Sequence, residues 1–332
     1  MSEFRSAASS IPVIDVSALR EGREIPKALV MEIDKACREI GFFTIINHGI
    51  DAAVIDEVLA QTRAFFDLPQ DLKDSVEIHK SPYMRGYFNQ GADKSDGILG
   101  DVKEGFDMAS DLSRDDPYVQ AGLPFYGPNA WPEFQPSFKP VMLDYHAQAL
   151  ALGQNLLKVF ALALEMPEDY FHDKFVKPMA QLRVLRYPPT PHREGQAIGA
   201  GEHTDFGWIT MIAQDGAGGL EVKNAAGEWI AVTPIESALV VNVGDLMSLW
   251  TNDRYTATIH RVLNNGNQVR YSAAFFMDPD YKAKVTCLPS CISHDNPRKY
   301  EPIVAGEYMD RRFLETTTFR DTQEPHRSNE HA

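Results

Sequence analysis

The sequence predicts an α+β protein with a mainly β core, a double-stranded β-helix (jelly-roll) barrel buttressed by N-terminal helices. Three observations carry this expectation. Apolar residues recur at helical spacing in the first half, short strand-like runs replace them beyond residue 180, and turn signals separate those runs. Many short strands at such spacing bury their apolar faces by folding into a double-sheet roll or barrel.

The elements follow in order. Residues 11–16 read as a short strand. Over 26–40, Leu29, Ile33, Ala36, Cys37 and Ile40 fall at helical spacing, with Pro26 near the start and Gly41 as the stop. Residues 42–46 form a buried-strand run, and a second amphipathic helix carries Val54, Ile55, Val58, Leu59, Thr62 and Phe65 on one side. Residues 80–100 are rich in Gly, Ser, Asp and Tyr without periodicity and predict a loop; the wider stretch 80–107 suits a lid. A long helical pattern covers 136–165 through Val141, Tyr145, Ala149, Leu152, Leu156 and Leu164. Strand-like runs then recur at 182–187, 208–213, 220–222, 238–243, 259–263 and 269–277. Asp215-Gly216, Ala226-Gly227 and Asn265-Gly266 mark turns between them. No repeat, low-complexity tract or linker divides the chain, which predicts one compact unit.

Composition bounds the function. A formal net charge of −15 over 332 residues speaks against nucleic acid or an anionic membrane as partner, because phosphate binding needs a basic face. The three cysteines, Cys37, Cys287 and Cys291, make no disulfide framework and fit a reducing compartment. With no apolar run of transmembrane length and no signal-peptide region at Met1, a cytoplasmic location is expected.

The chemistry concentrates in two short stretches. Glu202-His203-Thr204-Asp205-Phe206-Gly207 and Thr258-Ile259-His260-Arg261-Val262 supply two imidazoles and a carboxylate, the set that holds non-haem Fe(II) on one face and leaves positions open. In an extended strand His203 and Asp205 point to the same side, and His260 must join them from another strand. A His-x-Asp pair alone is more often a turn or a core pair; the downstream histidine strengthens the metal reading, and the complete set in this order, with Arg270 and Ser272, is hard to read as structural. Arg270 and Ser272 repeat the i, i+2 spacing, and an Arg fork beside a hydroxyl suits bidentate recognition of a carboxylate.

Longer runs identify a family. Ile11-Pro12-Val13-Ile14-Asp15, the run from Gly41 to Gly49, the run from Asn242 to Asn252, Thr258 to Val262 and Arg270 to Phe276 resemble the iron(II)- and 2-oxoglutarate-dependent dioxygenases of the isopenicillin N synthase-like class. The resemblance covers roughly residues 11–315. It implies an N-terminal dioxygenase region over 11–125, a jelly-roll core over 180–285, and supporting helices over 126–179 and 286–317.

The resemblance also implies roles. His203, Asp205 and His260 would bind iron, and Arg270, Ser272 and Tyr187 would hold 2-oxoglutarate. Fe(II), 2-oxoglutarate and O2 would then oxidise a small organic molecule, by hydroxylation, desaturation or ring closure, releasing succinate and CO2. Candidate substrate contacts are Arg183, which alternation places beside Tyr187, and Phe206, Trp208 and Phe276 near the ligand positions. Arg85 and Tyr87 in the lid stretch complete them, with Lys103 a further charge there. His48, Asn242 and Asp245 read as structural, turn and packing residues. Two rival readings remain: an isopenicillin N synthase-like or ethylene-forming oxidase of the same fold, and a non-catalytic ligand-binding barrel. A cupin site is disfavoured because its His-x-His pattern is absent.

Overall fold

The computed structural model describes residues 8–20, 24–89, 101–189, 198–264 and 268–316. The N-terminal half contains β1 (Val13–Asp15), α1 (Lys27–Glu39), β2 (Phe42–Ile46), α2 (Ala52–Phe66), α3 (Gln70–Ser75), β3 (Gly86–Phe88) and β4 (Glu104–Ala109). The single turn α4 (Pro117–Gln120) and the long α5 (Phe138–Ala163) close it. The second half brings β5 (Pro178–Tyr187), β6 (Ile198–His203), β7 (Ile209–Gln214), β8 (Leu220–Lys223), β9 (Trp229–Ala231) and β10 (Leu239–Val243). After α6 (Asp245–Trp250) come β11 (His260–Leu263), β12 (Arg270–Asp280), β13 (Lys284–Val285), β14 (Ile303–Val304) and α7 (Ala305–Thr316).

Local chemistry sets the boundaries. Helix α1 buries Leu29, Ile33, Ala36 and Cys37, its predicted apolar stripe. It stops at Gly41, whose φ of +67° and a would-be Cβ only 2.0 Å from the Thr256 carbonyl oxygen leave room for glycine alone. Helix α2 starts at Asp51, whose carboxylate accepts the Ala53 N–H at 2.9 Å.

Among the described residues, eight strands form one sheet in the order β1-β2-β10-β7-β12-β5-β4-β3, and four form a second in the order β6-β11-β8-β9. β1 runs parallel to β2 and the other pairings within these two sheets are antiparallel. The two sheets are the faces of the jelly roll. Strand β12 shows how they divide the chain. Tyr271, Ala273, Phe275 and Met277 join the core on the side of α2 and α5, whereas Arg270, Ser272, Ala274, Phe276 and Asp278 line the cavity between the sheets. Burying one such large apolar side chain contributes roughly 1.5–3 kcal/mol. The partner strand β5 alternates in the same way, with Gln181, Arg183, Leu185 and Tyr187 facing the cavity.

The structure departs from the sequence reading in places. The predicted loop contains β3, and the lid stretch ends in β4, both paired into the large sheet. Three-residue β3 is too short to show a period, and it starts at Gly86. Residues 90–100 of that stretch and the Asn265-Gly266 turn lie outside the described residues. His203 and Asp205 do not share a strand: β6 ends at His203 and Asp205 stands in the connection to β7. Among the described residues no helix is long and apolar enough to cross a membrane.

Candidate active site

The cavity between the sheets measures about 200 Å³. His203 and His260 enter it from adjacent strands of the small sheet, directly opposite each other in register. Asp205 reaches it from the loop that follows β6. His203 Nε2 lies 3.9 Å and His260 Nε2 3.7 Å from Asp205 Oδ1, and the three ligand atoms all fall within 4.8 Å of one another.

Each of the three is aimed by its surroundings. His203 Nδ1 lies 2.7 Å from the Gly201 carbonyl and His260 Nδ1 3.0 Å from the Thr258 carbonyl. A carbonyl can only accept, so Nδ1 carries the proton in both rings and Nε2 presents its lone pair. Asp205 Oδ2 accepts from Asn242 Nδ2 at 2.6 Å and from the Thr210 hydroxyl, which leaves Oδ1 for a metal. Burial opposes ionisation of Asp205, yet His260, His203, Thr210 and Asn242 together hold its carboxyl below the usual range. Burial pushes the other way on His260 and keeps it neutral, as a ligand must be.

The 242–246 segment clasps this ligand loop. The Gly244 N–H donates to the Trp208 carbonyl at 3.0 Å, Asp245 N–H to Asp205 at 2.7 Å and Leu246 N–H to Phe206 at 3.0 Å. The expectation that Asn242 and Asp245 serve as turn and packing residues is corrected here. Asn242 sits in β10 and holds a candidate metal ligand, while Asp245 opens α6 and ties down the ligand loop through its backbone. His48 matches its structural reading: its Nδ1 accepts the Ile50 N–H at 3.2 Å, so Nε2 donates to the Ser237 carbonyl at 2.8 Å.

A second set stands at one end of the cavity. Arg270 is 4% exposed, and its guanidinium lies 4.8 Å over the Tyr187 ring on the neighbouring strand. Nη1 donates to Ser272 Oγ at 3.2 Å and Nη2 to Gln214 Oε1 at 3.1 Å, while Nε has no partner. Among the described residues no carboxylate pairs with Arg270. A buried guanidinium with an unused N–H and no counter-charge is built to receive an anion from outside the chain.

The other end of the cavity is walled by Gln181, Phe206, Phe276 and Asp278, with Met309, Arg312 and Phe313 of α7 closing over it. Gly207 lets this wall form. A Cβ there would stand 1.8 Å from Asp278 Oδ1, which instead accepts the Trp208 N–H at 2.7 Å. Burial, with a further push from Asp205, raises the Asp278 carboxyl to about 7 against the donated Trp208 N–H.

The candidate substrate residues divide. Phe206, Phe276 and Arg183 line the cavity, but Arg183 is already paired with Asp107 through two contacts of 2.7 Å and lies over the Phe88 ring. Trp208, Arg85 and Tyr87 do not reach it. Trp208 is fully buried among Phe160, Phe171, Phe175 and Trp250: it stands in the bend before β7, outside the alternation that turns Thr210 and Ile212 into the cavity. Tyr87 packs on Phe65 and Phe66 and donates its hydroxyl to Glu104 at 2.8 Å. Arg85 is 2% exposed, donates to the Tyr83, Met84 and Phe125 carbonyls, and borders only a small adjoining cavity. Lys103 does line the main cavity, where it pairs with Asp101 at 2.8 Å. Sequence reasoning missed Thr210, Gln214, Gln181, Asp278 and the α7 residues. Continuing the alternation from Arg270 along β12 would have reached Asp278; nothing local marks α7.

Known proteins resemble this chain over most of its length. Residues 11–134 match the family described as non-haem dioxygenase in morphine synthesis N-terminal, and residues 179–279 match the 2OG-Fe(II) oxygenase superfamily. A 2-oxoglutarate-Fe(II) type oxidoreductase of Emericella nidulans is 35% identical over 313 residues, 91% of this chain and 89% of that protein. A homoarginine-6-hydroxylase of Arabidopsis thaliana is 36% identical, covering 85% of this chain and 88% of its own. A full-length Neurospora crassa protein crystallised with alpha-KG and thymine superposes with a TM-score of 0.79 at 30% identity, over 92% of this chain and 96% of that one.

Proposed function

This chain belongs to the 2OG-Fe(II) oxygenase superfamily, and from that premise we propose how its own residues carry the reaction. It is a 2-oxoglutarate-dependent dioxygenase that hydroxylates a small organic molecule. Ferrous iron with 2-oxoglutarate and O2 supplies the chemistry: a substrate C–H becomes C–OH as the 2-oxo acid loses CO2 and becomes succinate.

His203 Nε2, Asp205 Oδ1 and His260 Nε2 would hold the iron, and Asn242 and Thr210, by engaging Asp205 Oδ2, leave Oδ1 available for it. Arg270, with Ser272 beside it and Tyr187 beneath it, takes the distal carboxylate of 2-oxoglutarate. Phe206, Phe276 and the α7 side chains exclude water from the remaining end, where the substrate lies. The observation that carries the reading is the convergence of three aimed ligand atoms with a buried, uncompensated guanidinium in one cavity.

The test is anaerobic addition of Fe(II) and then 2-oxoglutarate, followed by the metal-to-ligand charge-transfer absorption. The band should form with the wild type, vanish in His203→Ala, Asp205→Ala and His260→Ala, and require far more 2-oxoglutarate in Arg270→Ala. Oxygen uptake with a substrate but without 2-oxoglutarate would favour the oxidase instead. A normal band after loss of any one of the three ligands would remove that residue from the site.

A further inference from the structure

The cavity end away from Arg270 holds two polar side chains that keep open hydrogen-bonding positions among the described residues. Gln181 on β5 and Asp278 on β12 both face it; Gln181 lies directly opposite Phe276, and Asp278 is the next cavity-facing residue along β12. Asp278 is 4% exposed and uses Oδ1 to accept the Trp208 N–H. Its Oδ2 receives no hydrogen bond from any described residue, and the Gln181 amide makes none. Both groups line the cavity and keep hydrogen-bonding capacity that a ligand displacing solvent there must match, since it would otherwise bury them unpaired.

The surroundings limit what that ligand is. Phe206, Phe276 and Phe313 present rings to the same space, which suits a flat apolar body. An anion there would meet the carboxyls of Asp278 and Asp205. A cation would meet the Arg312 guanidinium, which already stands 4.3 Å over the Phe206 ring. What remains is an uncharged planar group with an N–H for Asp278 and a carbonyl for the Gln181 amide donor.

We propose that Gln181 and Asp278 are specificity-determining residues that read the N–H and C=O edge of a cyclic amide, so the substrate is a lactam- or imide-bearing ring held among Phe206, Phe276 and Phe313. The proposal rests on the reading of this cavity as the oxygenase site. The Gly207 position supports it independently, since any side chain there would drive Asp278 out of the wall.

The experiment uses the full chain loaded anaerobically with Fe(II) and 2-oxoglutarate. Binding of 2-pyridone and uracil is read by the shift of the charge-transfer band and by ligand-observed NMR. N-methyl-2-pyridone, benzylamine and phenylacetate serve as matched probes lacking the N–H or carrying a charge. The unmethylated rings should bind at least about tenfold tighter than N-methyl-2-pyridone, the usual scale for leaving one buried polar group unpaired. Above about pH 7, where the Asp278 carboxyl has released its proton, Asp278→Asn turns an acceptor into a donor and should abolish that preference, and Gln181→Leu should weaken both rings. The band before ligand addition reports that each variant is folded. Equal binding of methylated and unmethylated rings, or tighter binding of benzylamine or phenylacetate, overturns the proposal with the iron reading intact. Failure of the wild-type band overturns both.

Discussion

Asn242 Nδ2 donates to Asp205 Oδ2 at 2.6 Å, and this one contact links β10 of the large sheet to the metal-ligand loop. The Thr210 hydroxyl of β7 donates to the same oxygen, so Asp205 is held from two neighbouring strands. Outer partners of this kind fix a ligand's orientation, and losing one typically costs about 10–100-fold in metal affinity. Asn242→Leu should therefore weaken Fe(II) binding by that order while the chain stays folded. Asn242→Asp should be worse, because a second carboxyl would face Asp205. Fe(II) titration with a competing chelator measures both, and unchanged affinity in Asn242→Leu would reduce the contact to packing.

Arg270 gives the second prediction. Its charge is buried, stacked on Tyr187 and without a carboxylate partner among the described residues, and the proposed site for 2-oxoglutarate would supply its counter-charge. Breaking such a pair by removing one member typically costs roughly 3–5 kcal/mol, about two to three and a half orders of magnitude in the apparent KM for 2-oxoglutarate. Arg270→Lys should recover little, since an ammonium neither forks onto a carboxylate nor stacks as a plane. Succinate formation against 2-oxoglutarate concentration reads the effect; a KM within severalfold of wild type would place the cosubstrate elsewhere.

How much of this was legible in the sequence depends on the range of the signal. His203, Asp205, His260, Arg270 and Ser272 could be picked out as candidates from residue type and spacing, and the structure brings them to one cavity. The jelly roll could be read because β5, β7, β10, β11 and β12 are long enough to show apolar runs. Even there, the geometry differed in detail, with Asp205 placed just past the end of β6. Tyr87 and Arg85 misled because charged and aromatic residues in an aperiodic stretch look the same whether they face a ligand or a core. Their placement is fixed by the Tyr87 hydroxyl donating to the Glu104 carboxylate and by Arg85 donating to backbone carbonyls as far away as Phe125. Gln214 and the α7 wall depend on strand register and helix docking, which no local pattern encodes.

The third prediction separates Trp208 from Phe276. Both stand near ligand positions, but Trp208 fills the aromatic cluster of Phe160, Phe171, Phe175 and Trp250, while Phe276 faces the cavity. Trp208→Ala should cost about 3–5 kcal/mol of stability, as large-to-small changes in a packed core do. Phe276→Ala opens space where a cavity already exists, so it should cost much less stability and act mainly on substrate affinity. Urea unfolding of the two variants checks the order. Equal destabilisation would mean that Phe276 is core as well.

The fourth prediction concerns pH and Asp278 in chelator-treated protein. Burial raises this carboxyl from the ordinary 3.8 to about 7 in the folded state. Between those values the native protein keeps a proton that the unfolded chain has released, so stability falls as pH rises through that window and levels off above about 7. The ceiling on the loss is on the order of 4 kcal/mol for a shift of this size. Asp278→Asn keeps an oxygen for the Trp208 N–H and removes the titration. Its stability should match the wild type near pH 4 and exceed it progressively toward pH 8, measured by urea midpoints across the range. If the wild type instead gained on the variant as pH rose, Asp278 would be an ion-paired carboxylate, with Arg85 or Arg312 the guanidiniums to examine as its partner.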